Sequence, residues 1–136
     1  ALTIAETGHL VFTTLHTNSA AQTIDRIVDV FPENQQQQIR LQLSNVIEAV
    51  VSLRLVPSIS GGRVPIAEIL TVSPAIRTTI RDGKTHLLDN IILTSFEQGM
   101  VSLETALTKA VKEGRISPEV AASYAIRPEE MSRLLK

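Results

Sequence analysis

Residues 7–17 read TGHLVFTTLHT, and this stretch decides how the rest of the chain is interpreted. Leu10–Phe12 is a continuous apolar run, which is typical of a strand buried on both faces of an α/β sheet. Hydroxyl and imidazole side chains follow at the carboxyl end of this predicted strand: Thr13, Thr14, His16 and Thr17. Because open α/β sheets bind ligands at the carboxyl ends of their strands, the stretch predicts half of a nucleotide site.

His16 is the leading candidate for a phosphate contact in this predicted site. A neutral histidine offers one N–H and a threonine offers a hydroxyl, and both are donors that a γ-phosphate can use. His16 is therefore a candidate γ-phosphate sensor, with Thr14 and Thr17 as candidate nucleotide contacts and His9 as a weaker candidate. Hydrolysis of the nucleotide triphosphate removes a contact of this kind and so releases the chain segment that the contact held. Two alternatives stay open: His16 caps a strand end through a backbone bond, and His9 is a hydrogen-bonded, partly buried side chain.

The composition is that of one ordinary globular domain. The 136 residues are 43% hydrophobic and 20% charged, and a chain of this length buries roughly two-thirds of its unfolded surface. The absence of Cys excludes disulfides and thiolate metal sites, and we expect no metal ligands in the chain. A net charge of −1, one Tyr and no Trp argue against a nucleic-acid partner. No apolar run approaches the ~18 residues that span a membrane, which together with the absence of Cys favours a cytoplasmic protein.

Capping residues and turn signals divide the remainder into short elements. Asn18 and Ser19 are N-cap types before a predicted helix, and Gly61-Gly62 is a hairpin signal. Prolines at 57 and 65 place at least one hairpin strand at a sheet edge. The predicted helices are 20–30, 33–51, 75–81, 84–93, 103–113, 119–124 and one that begins at Pro128, and the predicted strands are 51–59 and 64–70. The chain therefore changes from α/β to helical near Leu70.

Residues 5–21, AETGHLVFTTLHTNSAA, resemble the His box of the secretion ATPase superfamily, the RecA-like hexameric motors of type II secretion and type IV pili. Residues 23–32, TIDRIVDVFP, resemble the pilus-retraction (twitching-motility) branch. Residues 75–82, AIRTTIRD, match five of eight positions of the AIRNLIRE motif of that branch. Extension and secretion members usually carry a Cys-rich zinc insertion, whereas this chain has no Cys.

The resemblance implies an α/β fold: a partial RecA-like sheet without its P-loop half, a β-hairpin and a C-terminal all-helical layer. It implies that residues 1–72 belong to the ATPase core and residues 73–136 to a helical subdomain. The intact protein would be a hexameric motor that hydrolyses ATP with Mg²⁺ and drives pilus retraction. It would work at the cytoplasmic face of the bacterial inner membrane and dock on a pilus platform protein. Arg77, Arg81 and Asp82 would serve coupling or subunit contact, the alternative being a solvated helix face.

The chain contains no P-loop. That motif reads Gly-x-x-x-x-Gly-Lys-Ser/Thr, and the single Gly-Lys pair here, Gly83-Lys84, has Thr78 where the upstream Gly is required. The resemblance places the Walker B acidic residue before Ala1 as well. Residues 1–6 also look like the end of a helix that is already under way, although removal of an initiator Met is an alternative. We therefore expect a piece of a larger protein that does not hydrolyse ATP alone and binds no nucleotide tightly.

Two other functions remain open. The same fold could be a non-catalytic module that docks to a secretion or pilus platform, and a P-loop upstream of Ala1 would distinguish that role from the motor. A RecA-type nucleic-acid motor is disfavoured by the neutral charge and the few aromatic residues. Because Leu10–Phe12 and the hairpin would lack neighbouring strands, we also expect exposed apolar surface and self-association.

Overall fold

The structure is a computed structural model that describes all residues from Ala1 to Lys136. It contains one two-stranded antiparallel sheet with helices packed on one of its faces. The helices before the sheet are α1 (Leu2–Glu6), α2 (Ala20–Asp29) and α3 (Glu33–Val46). The strands are β1 (Ala49–Pro57) and β2 (Arg63–Thr71). The helices after the sheet are α4 (Pro74–Arg81), α5 (Leu88–Thr94), α6 (Leu103–Lys112), α7 (Pro118–Tyr124) and α8 (Pro128–Leu135), with 3₁₀ turns at Thr85–Leu87 and Phe96–Gln98.

The predicted strand at Leu10–Phe12 is wrong. Residues 9–17 form no regular secondary structure, and the side chains of Leu10 and Phe12 are 80% and 87% exposed. A strand needs a neighbour for its backbone N–H and C=O groups, and the two strands of this chain pair only with each other and, at Ile69, with Val101. The exposed apolar surface expected here is present, but on an irregular segment.

The hairpin is confirmed. Its register pairs Ala49 with Thr71 and Pro57 with Arg63, so the two strands match along their whole length. Gly61 and Gly62 in the connecting loop have φ of +94° and +72°, a region that glycine enters without strain. Since the sheet has two strands, both are edges, as the prolines in them require.

Serine caps set where four helices begin. Ser19, Ser73, Ser102 and Ser117 each accept a hydrogen bond from the backbone N–H three residues later, at the starts of α2, α4, α6 and α7. Helix α3 ends at Val46, earlier than the predicted 51, because Ile47 is already extended and the β-branched residues 50 and 51 belong to β1.

Two hydrophobic clusters share one face of the hairpin. The first holds Val50 and Leu70 together with residues of α2, α3, α4 and α5. The second holds Val56 and Ile66 together with residues of α6, α7 and α8. Even-numbered residues of both strands point to this face, and Ser52 and Glu68 lie on it between the two clusters, both buried. We call this polar strip between the clusters the seam.

Candidate functional site

His16 lies in the irregular segment between α1 and α2, and its imidazole is exposed. No hydrogen bond of the chain uses either ring nitrogen, so both are available to a ligand. Thr14, two residues earlier, is exposed as well. The alternative in which His16 caps a strand end finds no support, because there is neither a strand nor a backbone bond at this position.

Thr17 is anchored where His16 is not. Its Oγ1 lies 2.6 Å from Oγ1 of Thr23, and the Thr23 hydroxyl also donates to the carbonyl oxygen of Ser19 at 2.8 Å. Because a hydroxyl has one hydrogen, Thr17 must be the donor to Thr23. Thr17 therefore packs onto the first turn of α2 and keeps only acceptor capacity for other partners.

His9 is placed in a local turn after α1. The Thr7 hydroxyl donates to the carbonyl oxygen of Ile4 at 2.8 Å and lies 3.0 Å from His9 Nδ1. Since that hydroxyl hydrogen is already used, Nδ1 is the donor in the His9 contact, which fixes the proton on Nδ1 in the neutral ring. His9 and His16 share no hydrogen-bond partner, so the structure does not bring them into one constellation.

The segment that follows His16 is held by one hydrogen bond from each strand of the hairpin. Arg54 of β1 donates from Nη2 to the carbonyl oxygen of Asn18 at 2.8 Å. Glu68 of β2 accepts the backbone N–H of Ala20 at 2.8 Å from its Oε1. The exposed donors at Thr14 and His16 are thus followed directly by a helix start that is tied to both strands.

Burial raises the pKa of the Glu68 carboxyl above its usual value, and the negative charge of Asp89 acts in the same direction. The hydrogen bond from the Ala20 amide opposes this shift, as do the Leu103 amide and the charge of Arg127. Sequence reasoning did not single out Glu68. The alternation Ile66, Glu68, Leu70 would have flagged it, since it places a carboxyl among inward-facing residues.

Arg77 belongs to α4, and its guanidinium lies at the carboxyl end of α3. Its Nη1 is 2.7, 3.1 and 3.3 Å from the carbonyl oxygens of Ser44, Asn45 and Ile47, and its Nη2 is 3.4 Å from Glu48 Oε1. A cation here satisfies carbonyls that the helix leaves without a partner. The side chain is half-buried rather than spread on a solvated helix face.

Arg81 and Asp82 remain exposed at the end of the same helix. Arg81 Nε lies 3.8 Å from Asp82 Oδ1, and its Nη2 is 3.4 Å from the Thr78 hydroxyl. With Gln37, Arg40 and Gly83 these two residues line an open polar groove of about 410 Å³. The structure therefore separates the predicted coupling residues, since Arg77 is used inside the chain and Arg81 and Asp82 face outward.

The donors of this segment suit a phosphate rather than a metal ion. Residues 7–17 contain hydroxyl and imidazole groups but no carboxylate, which is the ligand that Mg²⁺ prefers. No group of three or more His, Cys, Asp and Glu side chains lies close enough together to hold a metal ion. No helix combines the length and the apolar composition needed to cross a membrane.

Comparison with known proteins finds a family over most of the chain. Residues 1–123 match the family model described as "Type II/IV secretion system protein". The chain is 45% identical over 133 residues to a "Twitching motility protein" of Neisseria gonorrhoeae, covering 97% of this chain and 36% of the relative. It is 48% identical over 129 residues to the "Type IV pilus retractation ATPase PilT" of Pseudomonas aeruginosa, covering 95% and 38%. The chain thus spans little more than a third of the length of these relatives.

Solved structures show the same similarity. The crystal structure of "the Pilus Retraction Motor PilT and Bound ADP" superposes with a TM-score of 0.83 at 45% identity, covering 97% of this chain and 37% of that one. The Legionella pneumophila ATPase DotB superposes with a TM-score of 0.76 at 25% identity, covering 90% and 33%. The mixture of a hairpin with many helices is therefore an arrangement found within larger ATPases.

Proposed function

Because the chain belongs to the type II/IV secretion system protein family, we propose that it forms part of an ATP-hydrolysing motor for type IV pilus retraction, in which His16 senses the γ-phosphate. The similarity to retraction ATPases along nearly the whole chain supports the retraction branch. The observation that carries the sensor role is the unpaired, exposed imidazole of His16 directly before a helix start that both strands hold. In this role His16 donates one N–H to a γ-phosphate oxygen, with Thr14 as a second donor and Thr17 as a local anchor.

The rest of the motor is part of the same proposal. Residues 1–72 complete a RecA-like ATPase core and residues 73–136 form its helical subdomain. The phosphate-binding loop and the Mg²⁺ ligands lie in sequence that these 136 residues do not include, and this chain alone does not hydrolyse ATP. The assembled motor is a hexameric ring on the cytoplasmic side of the inner membrane, in contact with a pilus platform protein and not with nucleic acid.

Helix α4 is proposed to couple nucleotide state to movement. Arg77 holds α4 against the end of α3 through three backbone carbonyls. Arg81 and Asp82 are then the charged groups that α4 can offer to a neighbouring subunit. A guanidinium can bind a carboxylate through two parallel bonds, which suits a contact that forms and breaks in one geometry.

The experiment that tests the sensor role replaces His16 in the full-length polypeptide that carries these residues. We expect His16→Ala to leave ATP affinity within about threefold and to lower kcat by about 100-fold, the usual cost of removing one well-placed donor. His86→Ala is the matched control, since His86 is also exposed and lies on a 3₁₀ turn away from the segment. Unchanged ATP turnover and unchanged twitching in His16→Ala would refute the sensor role.

A further inference from the structure

The seam of the hairpin contains a carboxylate that bridges separate parts of the chain. Glu68 is only 3% exposed, between the cluster with Val50 and Leu70 and the cluster with Val56 and Ile66. A buried carboxylate is costly unless several donors satisfy its oxygens. The hydrogen-bond donors of Glu68 therefore indicate which part of the chain this side chain holds in place.

The donor that Glu68 binds is the first amide of α2. Oε1 of Glu68 accepts the N–H of Ala20, the first residue of α2, at 2.8 Å, and the backbone amide of Leu103, the first residue of α6, favours the charged form of the carboxylate. The amino-terminal ends of helices favour negative charge and leave backbone N–H groups unpaired. The Glu68 side chain thus ties the start of α2 to β2.

Arg127, just before α8, places a positive charge near this carboxylate and is itself held by two glutamates. Its Nη2 lies 3.1 Å from Oε2 of the fully buried Glu104, and its Nε lies 3.2 Å from Glu130 Oε2. The positive charge of Arg127 acts favourably on ionised Glu68. The charged form of Glu68 is therefore favoured by a cation that residues of α6 and α8 hold in place.

Arg54 holds the same segment from the other strand. Its bond to the Asn18 carbonyl and the bond of Glu68 to the Ala20 amide lie on either side of Ser19. His16 is two residues before the first of these contacts and four before the second. Because the backbone is held at Asn18 and Ala20, the His16 imidazole has no partner of its own but can occupy only a limited range of positions.

We propose that Glu68 is a positioning residue for His16, which holds the start of α2 so that the imidazole meets the γ-phosphate in one orientation. This inference rests on the proposed sensor function. Glu68 touches neither nucleotide nor reacting atoms, and its effect passes through the backbone at Ala20. A displacement of about 1 Å at a reacting group costs up to 100-fold in rate, so small movements of this helix start are sufficient.

The test compares three variants of the full-length polypeptide with the wild type by steady-state ATPase kinetics. We expect Glu68→Ala to lower kcat about tenfold with KM for ATP within about twofold, because orientation is lost while binding elsewhere is kept. Glu68→Gln should restore most of kcat, since its amide oxygen still accepts the Ala20 N–H. The control Glu97→Ala, at an exposed position, should change neither parameter. A loss in Glu68→Gln equal to that in Glu68→Ala, or no loss in Glu68→Ala, would overturn the proposal.

The double variant His16→Ala/Glu68→Ala separates this inference from the sensor function. If Glu68 acts through His16, the double variant should have the kcat of His16→Ala alone, as residues that act as a unit are not additive. A further tenfold loss would mean that Glu68 acts independently and would refute the positioning role while leaving the sensor role intact. If His16→Ala alone changes nothing, both proposals fall.

A variant at Arg54 keeps the test decisive if Glu68→Ala does not fold. Arg54→Met removes the Asn18 contact and keeps an apolar side chain of similar length on β1. We expect kcat to fall several-fold, and to fall no further when His16→Ala is added. An unchanged kcat in Arg54→Met would by itself refute a positioning role that needs contacts from both strands.

Discussion

Replacing Arg77 should destabilise the fold, although the residue lies in a motif for which the family resemblance implies a coupling role. Its Nη1 is within hydrogen-bond distance of three carbonyl oxygens at the end of α3, at 2.7, 3.1 and 3.3 Å. These carbonyls belong to the last turn of the helix and to the residue after it, where the helix provides few partners. Arg77→Ala removes their donor and leaves water to replace it.

The expected loss in the free energy of unfolding is about 2 kcal/mol. One nitrogen has two hydrogens, so at most two of the three contacts are full hydrogen bonds, and bonds to a charged group contribute about 1.5–3 kcal/mol each. Solvent reduces this sum because the Arg77 side chain is 34% exposed. The ion pair with Glu48 adds little, since that carboxylate is 77% exposed.

Urea unfolding of the 136-residue chain, followed by circular dichroism, measures this loss. With a slope of about 2 kcal/mol per molar urea, the midpoint of Arg77→Ala should fall by about 1 M. Arg77→Lys should lie between wild type and Ala, because an ammonium group reaches fewer of the carbonyls. Arg81→Ala is the matched control, one turn later on α4 without a backbone carbonyl contact, and should stay within about 0.5 kcal/mol of wild type. Equal shifts for Arg77→Ala and Arg81→Ala would refute the capping argument.

Three further predictions concern stability and association. Glu104→Ala should lower the free energy of unfolding in urea by about 3–5 kcal/mol, because the buried carboxylate pairs with Arg127. Glu119→Ala, at an exposed position, should lower it by less than about 0.5 kcal/mol, and equal losses in the two variants would contradict this prediction. Burial raises the pKa of Glu68, so the folded chain holds a proton on this carboxyl at a higher pH than the unfolded chain does. The contribution of Glu68 to stability therefore falls as the pH rises through its pKa in the folded state. Wild type should therefore gain stability relative to Glu68→Gln as pH is lowered from 7 towards 4.5, and a difference that is constant with pH would exclude this linkage. Val51, Leu53 and Leu55 of β1 form an exposed apolar face, through which the chain should self-associate in sedimentation velocity. Leu53→Lys, at a residue that is 61% exposed, should reduce this association, and a wild-type monomer at all concentrations would count against it.

Local signals in the sequence predicted most of the elements correctly. The serine caps specified where four helices begin because their effect involves only the next three residues. The Gly61-Gly62 pair predicted the hairpin for the same reason, since the turn and the alternation on both sides are local.

Features that depend on distant parts of the chain were not predicted. Leu10–Phe12 has the composition of a buried strand, but composition supplies no partner for its backbone. Arg77 could be assigned to a helix face but not to the end of α3, because 30 residues or more separate it from the carbonyls that it contacts. The two bonds that tie the segment after His16 to the hairpin also join residues far apart in the sequence, so the candidate site was predicted by residue type and not by its support.

The division of the hydrophobic interior into two clusters has a consequence for how the chain opens. Proteins unfold locally in cooperative units whose free energies differ, and a unit boundary falls where few apolar contacts cross. Here α6, α7 and α8 bury their side chains mainly with Val56 and Ile66, while α2, α3, α4 and α5 use Val50 and Leu70. Amide hydrogen exchange should therefore detect two foldons, with the amides of α6–α8 exchanging as one set and those of α2–α5 as another.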